Sequence, residues 1–217
     1  MKKQLFSLLM VAICGSVYAW EGSGTKSDPY LIQRPEDLRT LSANSGLDNY
    51  SGMYFKLDRN IFFVTGYDEL TPITGFCGTF DGGGFTIDGF KILLDTEDNV
   101  GLFKTLGSSA IVKDLTLGSN CYVTGNNNVG GFAGENNGGT ITNCVNTANV
   151  SGAGNVGGFV GKNTKGIIIN STNNGVVTGS ADYVGGVVGC YPDYRYSDEG
   201  SNIDGCINSG SITGNGN

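Results

Sequence analysis

The sequence contains no histidine and only four prolines in 217 residues. The absence of histidine excludes Ser-His and Cys-His nucleophile pairs, histidine-ligated zinc and the His-Glu-x-x-His motif of metallopeptidases. The scarcity of proline excludes a collagen, although glycine is abundant at 37 residues. Charged residues make up 15% of the chain, too few for an acidic disordered tail. What remains is a glycine-rich chain, which indicates many tight turns rather than long helices.

Residues 1–19 have the pattern of a secretory signal peptide, with a basic start, an apolar run and a small-residue cleavage site before Trp20. The apolar run is shorter than the roughly 20 residues of a spanning helix, so a membrane anchor is the weaker interpretation. We therefore predict a secreted or cell-surface protein. Cleavage removes Lys2 and Lys3 and changes the formal charge from -7 to -9, which opposes binding to nucleic acids or anionic membranes.

Cleavage also removes Cys14 and leaves an odd number of cysteines, so at least one is free, buried or paired with another chain. The remaining cysteines are Cys77, Cys121, Cys144, Cys190 and Cys206. A disulfide between Cys190 and Cys206 is one possibility, because it would staple the loop between them.

The chain repeats itself from about Asn99 onward. A Val-Gly anchor recurs at Val100, Val129, Val156 and Val184, at intervals of 29, 27 and 28 residues. Each copy consists mainly of Val, Ile, Thr, Asn and Gly, with short apolar runs that predict strands joined by corners. One copy cannot bury its apolar side chains alone, so the copies must stack, most simply as a parallel β-helix of five or six coils.

Equivalent positions of successive copies predict stacked columns. We expect Asn146, Asn173 and Asn208 to pass amide hydrogen bonds along the stack. Two residues later, Ala148, Gly175 and Gly210 suggest a left-handed backbone position. The Val and Phe around each Gly-Gly pair are expected to face inward, with glycine where a Cβ would clash. The expected inward columns are Leu115, Cys144, Ser171 and Cys206; Ile141, Ile168 and Ile203; and Val123, Val150, Val177 and Ile212.

The segment before the array lacks the period and is predicted to cap the stack. It has a short strand at Tyr30–Ile32 and a helix from about Pro35 with Leu38 and Leu41 on one face. Such a helix could cover the first coil, which otherwise exposes strand edges. Residues 53–63 alternate like a strand. Residues 78–92 read as a strand, a Gly-rich turn and a strand, and they lack the Lys of a phosphate-binding loop.

These residues resemble a known family. "VGGFAG", "VGGFVG" and "VGGVVG" are similar to GLUG repeats, and "GTFDGGGFTIDG" resembles the first coil that precedes them. The resemblance implies an all-β, right-handed parallel β-helix with a short N-terminal capping segment. It also implies secreted or surface proteins, often adhesins, and the N-terminal part of some immunoglobulin A1 peptidases. We divide the chain into a signal peptide (1–19), a cap with first coils (20–98) and GLUG-type repeats (99–217).

A carboxylate-only enzyme remains an alternative, because some β-helix enzymes use clustered aspartates. The candidates are Asp81, Asp88, Asp95, Asp98 and Asp114. They lie at turns beside glycine, where Asp commonly caps its own backbone, rather than as a pair on one sheet face. No calcium-loop motif is present. We therefore expect no catalytic residue, no cofactor and no metal.

The last copy contains an insertion, "CYPDYRYSDEG", where the earlier copies have none. Insertions in solenoids often decorate the binding face. Its Tyr191, Tyr194, Arg195 and Tyr196 have a composition suited to sugars or proteins and are the predicted binding residues. A tolerated surface loop is the simpler interpretation.

The predicted function is non-catalytic adhesion, in which the exported chain binds host or matrix glycans or proteins. The alternatives are a β-helix lyase or glycosidase, and a spacer or N-terminal module of a larger surface protein such as a peptidase. The sequence stops where another repeat would begin, so we expect the front of a longer protein. The uncapped C-terminal coil could also pair end to end with another copy.

Overall fold

The computed structural model describes residues 20–45, 49–66, 68–192 and 201–215. The predicted signal peptide and Tyr194, Arg195 and Tyr196 lie outside these residues. The described residues form a parallel β-helix of about six coils with one short helix, as the sequence predicted. Every strand pairs in parallel with the equivalent strand of the next coil.

The described strands are short, between two and four residues each. The first ten are β1 (Tyr30–Ile32), β2 (Tyr54–Leu57), β3 (Ile61–Phe62), β4 (Thr79–Asp81), β5 (Thr86–Asp88), β6 (Lys91–Leu94), β7 (Phe103–Leu106), β8 (Ile111–Lys113), β9 (Thr116–Leu117) and β10 (Tyr122–Gly125). The next eight are β11 (Asn127–Gly130), β12 (Ala133–Asn136), β13 (Thr140–Thr142), β14 (Val145–Asn146), β15 (Asn149–Gly152), β16 (Gly154–Gly157), β17 (Val160–Asn163) and β18 (Ile167–Ile169). The last seven are β19 (Thr172–Asn173), β20 (Val177–Gly179), β21 (Val184–Gly185), β22 (Val188–Cys190), β23 (Asn202–Asp204), β24 (Ile207–Asn208) and β25 (Ile212–Gly214).

A regular coil visits five sheets in turn, and each sheet runs along the stack. In the order of the chain, they are sheet 1 (β1-β2-β4-β8-β13-β18-β23), sheet 2 (β3-β5-β9-β14-β19-β24), sheet 3 (β6-β10-β15-β20-β25), sheet 4 (β11-β16-β21) and sheet 5 (β7-β12-β17-β22). The coil length varies: Tyr30 pairs with Phe55, Thr79 with Ile111, and Ile167 with Asn202. The extra residues leave the helix at corners, so the sheets stay in register.

The predicted inward columns form the core up to the last described coil, where Ile203 and Cys206 are half-buried and Ile212 is exposed. Val123, Val150 and Val177 are at most 1% exposed, and Cys144 and Ser171 are equally buried. Aromatic side chains fill the first coils, where the Phe76 and Phe103 rings lie 4.9 Å apart. Later coils contain a stacked pair, Phe132 and Phe159, with ring centroids 4.8 Å apart and planes at 12°. Burial of these apolar columns is the main stabilising contribution, because one coil alone cannot remove them from water.

Helix α1 (Pro35–Asn44) covers the start of the stack, as predicted. Pro35 occupies the first turn, where its missing N–H costs nothing. The Asp37 carboxylate accepts hydrogen bonds from the backbone N–H groups of Gln33 (2.9 Å) and Arg34 (3.2 Å), which ties the entering chain to the first turn. Leu38 and Leu41 are fully buried against the first coil.

Residues 53–63, predicted as one alternating strand, form two strands in different sheets. β2 belongs to sheet 1 and β3 to sheet 2, and a turn at Asp58–Asn60 separates them. Apolar side chains face inward on both strands. Because the alternation of apolar and polar residues continues from β2 to β3, the sequence pattern does not reveal the corner between them.

The predicted asparagine ladder is present. Asn146 donates from Nδ2 to Asn173 Oδ1 (2.8 Å), and Asn173 donates to Asn208 Oδ1 (2.7 Å). Asn146 and Asn173 are fully buried. The prediction of a left-handed position at Ala148, Gly175 and Gly210 is wrong, since their φ angles are not positive.

The glycines in that column are required for another reason. A Cβ on Gly175 would collide with the Ala148 carbonyl oxygen, and one on Gly210 with the Gly175 carbonyl oxygen. Several left-handed residues are asparagines at other corners, such as Asn128 (φ 54) and Asn155 (φ 53), whose amides form a second ladder (2.7 Å). Asparagine adopts this conformation at little cost.

The Val-Gly-Gly corner lies between sheets 4 and 5 and contacts the ladder of Asn146 and Asn173. Its Val and Phe side chains face inward, as predicted. Val129, Phe132, Val156 and Phe159 are fully buried. The second glycine faces the ladder: a Cβ on Gly131 would lie 2.8 Å from Asn146 Oδ1, and one on Gly158 would collide with Asn173. The repeated glycines and asparagines are thus two sides of one contact.

Candidate binding surface on the last coil

The last described coil, formed by β21 to β25, departs from the repeat pattern at several positions. Tyr191 follows β22 at the corner between sheets 5 and 1. The pairing of Val160 with Val188 and of Lys162 with Cys190 places Tyr191 next to Asn163 of the preceding coil. Tyr191 is 45% exposed. The structure therefore places this predicted binding residue at the surface, at the start of the insertion.

Asn163, beside Tyr191, is fully buried. Its Nδ2 donates to Gly166 O (2.9 Å), but its Oδ1 accepts no hydrogen bond from the residues that the structure describes. In the preceding coil, the equivalent Asn136 accepts one from Gly139 N (2.8 Å). Burial raises the pKa of the Tyr191 phenol, and hydrogen bonding to Asn163 offsets part of this rise. Tyr191 therefore stays a neutral phenol at physiological pH.

Tyr183 is a second unusual residue of this coil, and sequence reasoning missed it. It occupies the corner position of Asn99, Asn128 and Asn155, with a φ of 63° and a side chain that is 66% exposed. A bulky residue in left-handed conformation costs about 1–2 kcal/mol, which asparagine largely avoids. The replacement of Asn by Tyr before Val184 was the available signal in the sequence.

Most of the aspartates that were considered as catalytic residues lie in turns. Asp88 accepts hydrogen bonds from Asn120 N (3.0 Å) and Nδ2 (2.8 Å). Asp98 accepts them from Asn126 Nδ2 and Asn127 N, both at 3.0 Å. Asp95 lies in an exposed turn. These groups hold corners of neighbouring coils together.

Asp81 and Asp114 come together on adjacent coils, which sequence reasoning did not expect. The ammonium group of Lys113 forms ion pairs with both, at 3.0 Å to Asp114 Oδ2. Asp81 also accepts a hydrogen bond from Gly83 N (2.8 Å), the turn cap that was predicted. Burial would raise the pKa of Asp114, but Lys113 and Asn143 outweigh it and lower that pKa. Both carboxylates thus neutralise a lysine.

The five cysteines of the described residues are free, so the structure does not contain the Cys190–Cys206 disulfide considered from sequence. Cys190 pairs with Lys162 in an outward column of salt-bridged side chains, whereas Cys206 continues the inward column of Ser171. Burial raises the pKa of Cys121 and of Cys144 to about 12.

Within the described ranges, no three His, Cys, Asp or Glu side chains are grouped so that they could hold a metal ion. In the same part of the chain, no helix is long and apolar enough to span a membrane.

Comparison with known proteins gives a family motif and two relatives. Residues 125–151 and 152–178 each match the GLUG motif. The chain is 34% identical to halomucin of Haloquadratum walsbyi over 137 residues, which are 59% of this chain and 2% of halomucin. It is 31% identical over 133 residues to a candidate Gly-rich membrane protein of Evansella cellulosilytica, covering 59% of this chain and 15% of that protein. The chain therefore spans a small part of the length of these relatives.

One solved structure has the same fold. A candidate immunoglobulin A1 protease from Bacteroides ovatus superposes with a TM-score of 0.62, at 21% identity, over 89% of this chain and 79% of that chain. The matched repeats coincide with the coils whose Val-Gly-Gly corners and asparagine ladder are described above. The protein is thus a parallel β-helix in which residues 125–178 match the GLUG motif.

Proposed function

We propose that this protein is an exported, non-catalytic β-helical module that acts at the cell surface. The proposal depends on one observation, that the repeated residues make the contacts between stacked coils. The glycines, asparagines and inward valines of each coil contact the next coil, so the repeat builds a scaffold rather than a reactive site. Halomucin and the Gly-rich membrane protein, by their names, support a role at the surface.

The arrangement of carboxylates supports a non-catalytic role. Hydrolysis of glycosidic bonds needs one protonated and one ionised carboxyl group on either side of the bond. Asp81 and Asp114 instead share Lys113, which lowers the pKa of Asp114 and favours its charged form. Incubation with a panel of polysaccharides should release no products. Turnover that disappears in the Asp81→Asn variant would establish the enzyme instead.

The finer proposal is that the last coil binds glycans or proteins through its tyrosines. Tyr183 and Tyr191 expose large aromatic rings, and Tyr194, Arg195 and Tyr196 follow in the insertion. Rigid aromatic side chains contribute much contact area at small entropic cost, as at many binding sites.

A glycan array and immobilised matrix proteins test this proposal. Replacement of Tyr191, Tyr194 and Tyr196 by alanine should remove binding and leave the circular dichroism spectrum unchanged. Tyr122→Ala is the matched control, because Tyr122 is equally exposed at 45% but lies on sheet 3. Binding that survives the triple change, or that is lost equally in the control, would contradict the role of the insertion.

A spacer is the second candidate, favoured by the small share of the relatives that this chain covers. The last described coil also offers an open stacking surface: Ile212 is 45% exposed, whereas Val177 below it in the same inward column is fully buried. We propose that a second copy of the chain can cover it. Sedimentation should show concentration-dependent dimers that Ile212→Lys abolishes; a monomer at all concentrations would refute the pairing.

A further inference from the structure

A cleft near the N-terminal end has no role in the stack. It has a volume of about 920 Å³ and lies between α1, residues 68–74 and β6. Its walls are fixed: Arg39 Nε donates to Glu69 O (3.4 Å), Ser42 Oγ donates to Pro72 O (3.3 Å), and Ser45 Oγ accepts from Thr74 N (2.8 Å). The volume is that of a ligand site, and fixed walls lower the entropic cost of binding.

One wall of the cleft is the edge of a sheet. Sheet 3 ends at β6, and the preceding coil pairs with β6 only at Lys91, whose N–H donates to Asp68 O (2.7 Å) and whose carbonyl accepts from Leu70 N (2.9 Å). The preceding coil then crosses to sheet 5, where Ile73 pairs with Phe103. Nothing in the described coil therefore continues along β6 beyond Lys91.

The main chain of Leu93 faces this gap. Successive residues of a parallel strand direct their N–H and C=O groups to alternate neighbours. Phe90 O accepts from Tyr122 N of β10 (3.0 Å), so Ile92 also faces β10, and Lys91 and Leu93 face away from it. Among the described residues, no group on the cleft side bonds to the Leu93 main chain. The Leu93 side chain is 57% exposed.

The open strand edge and the charges of the cleft favour a peptide as its ligand. The lining carries two cations and two carboxylates, and Lys91 and Asp68 form an ion pair of 2.6 Å. In a chain of net charge -7, this is a locally balanced surface suited to a ligand of little net charge.

We propose that the cleft binds an extended, uncharged peptide segment of a partner protein, which adds a strand to sheet 3 beside Leu93. The peptide main chain donates to Leu93 O and accepts from Leu93 N–H, and an apolar peptide side chain covers the Leu93 side chain. Strand addition of this kind takes affinity from the main chain and selectivity from side-chain pockets. This site lies at the opposite end of the stack from Tyr191, so it stands or fails independently of the proposed tyrosine surface.

A displayed library of random heptapeptides is the probe. Ala43→Trp would fill the cleft, because Ala43 is an exposed lining residue of α1, and Asn44→Trp is its control on the same helix outside the lining. Leu93→Pro removes the N–H that faces the cleft together with the leucine side chain, which an edge strand tolerates. Leu93→Thr removes the side chain but keeps the N–H, so the difference between the two variants isolates the backbone hydrogen bond.

Peptides selected on the wild type should bind Ala43→Trp and Leu93→Pro at least about tenfold more weakly, the equivalent of one to two hydrogen bonds. They should bind Asn44→Trp normally and protect the Leu93 amide from hydrogen exchange. If Leu93→Pro does not fold, the two tryptophan variants decide the test. Failure to enrich any peptide, equal binding to Ala43→Trp, or a glycan that Ala43→Trp displaces instead would overturn the proposal.

Discussion

The asparagine ladder gives a quantitative test of how the coils hold together. Asn173 lies in its middle, where it accepts from Asn146 (2.8 Å) and donates to Asn208 (2.7 Å). Replacing it by alanine removes both bonds and two longer ones with Gly175 (3.3 Å each), and the fully buried Asn146 amide keeps only its longer bond to Ala148 O (3.4 Å). A buried polar group without a partner costs about 1–3 kcal/mol, and each lost hydrogen bond about 0.5–1.5 kcal/mol. We expect Asn173→Ala to lower the free energy of unfolding by about 2–4 kcal/mol.

Asn208→Ala is the matched control. It is the same change in the same column, but Asn208 is exposed and ends the described ladder. Water can replace it as a partner of Asn173, so the expected loss is only about 1 kcal/mol. Urea titration followed by far-ultraviolet circular dichroism measures both variants, and hydrogen exchange locates the effect at β14, β19 and β24.

A double-mutant cycle separates the ladder from the effect of the cavity. Asn146→Ala combined with Asn173→Ala should cost less than the sum of the single changes by about 1 kcal/mol, because the two amides share one bond. Equal losses in Asn173→Ala and Asn208→Ala, or full additivity in the cycle, would refute the reasoning that the ladder stabilises the stack.

Four further results are expected. Tyr183→Asn should raise the free energy of unfolding by about 1 kcal/mol, because asparagine relieves the left-handed backbone strain, and Tyr122→Asn on an ordinary strand should not; a loss of stability at position 183 would contradict this. Gly158→Ala should destabilise by about 1–3 kcal/mol, because its Cβ would collide with the Gly186 carbonyl oxygen and with Asn173, whereas Gly154→Ala, whose nearest contact is Asn127 Oδ1 at 3.0 Å, should be mild; equal urea midpoints would rule this out. A thiol reagent should label Cys121 and Cys144 only after unfolding, since burial raises the pKa of each to about 12. For the same reason their contribution to stability should be constant below pH 9 and decline above it, where unfolded thiols ionise first; rapid labelling of the native protein would disprove their burial.

Much of the fold could be predicted because the repeat is local in sequence. Asn146 and Asn173 are 27 residues apart, and an equal interval at many positions implies equal places in successive coils. The helix was predictable from Pro35, Leu38 and Leu41, because this signal also lies in residues close together in the sequence. The wrong prediction at Gly175 has a physical cause: glycine serves both left-handed turns and close backbone contacts, and the sequence does not distinguish them.

The candidate sites were less predictable, because they arise where coils differ in length. The insertion after Cys190 was visible as extra residues, and Tyr183 was visible as a change in a column. The approach of Asp81 to Asp114 was not, since the pairing of Thr79 with Ile111 spans a coil longer than the regular ones. A search for a constant repeat interval does not find a contact across a longer coil.

By itself, the sequence determined that the chain repeats, that its copies stack as a parallel β-helix, and which residues form the valine columns and the ladder of Asn146, Asn173 and Asn208. The physical reason is that stacking imposes the same side-chain requirements on every coil. Only the tertiary structure decided which main-chain polar groups lack a hydrogen-bond partner on the neighbouring coil. Leu93 looks like any outward strand residue until the preceding coil is seen to cross to another sheet and leave its main chain facing a cleft. Hydrogen bonds between coils depend on where the neighbouring backbone runs, and that path is set by packing rather than by local pattern.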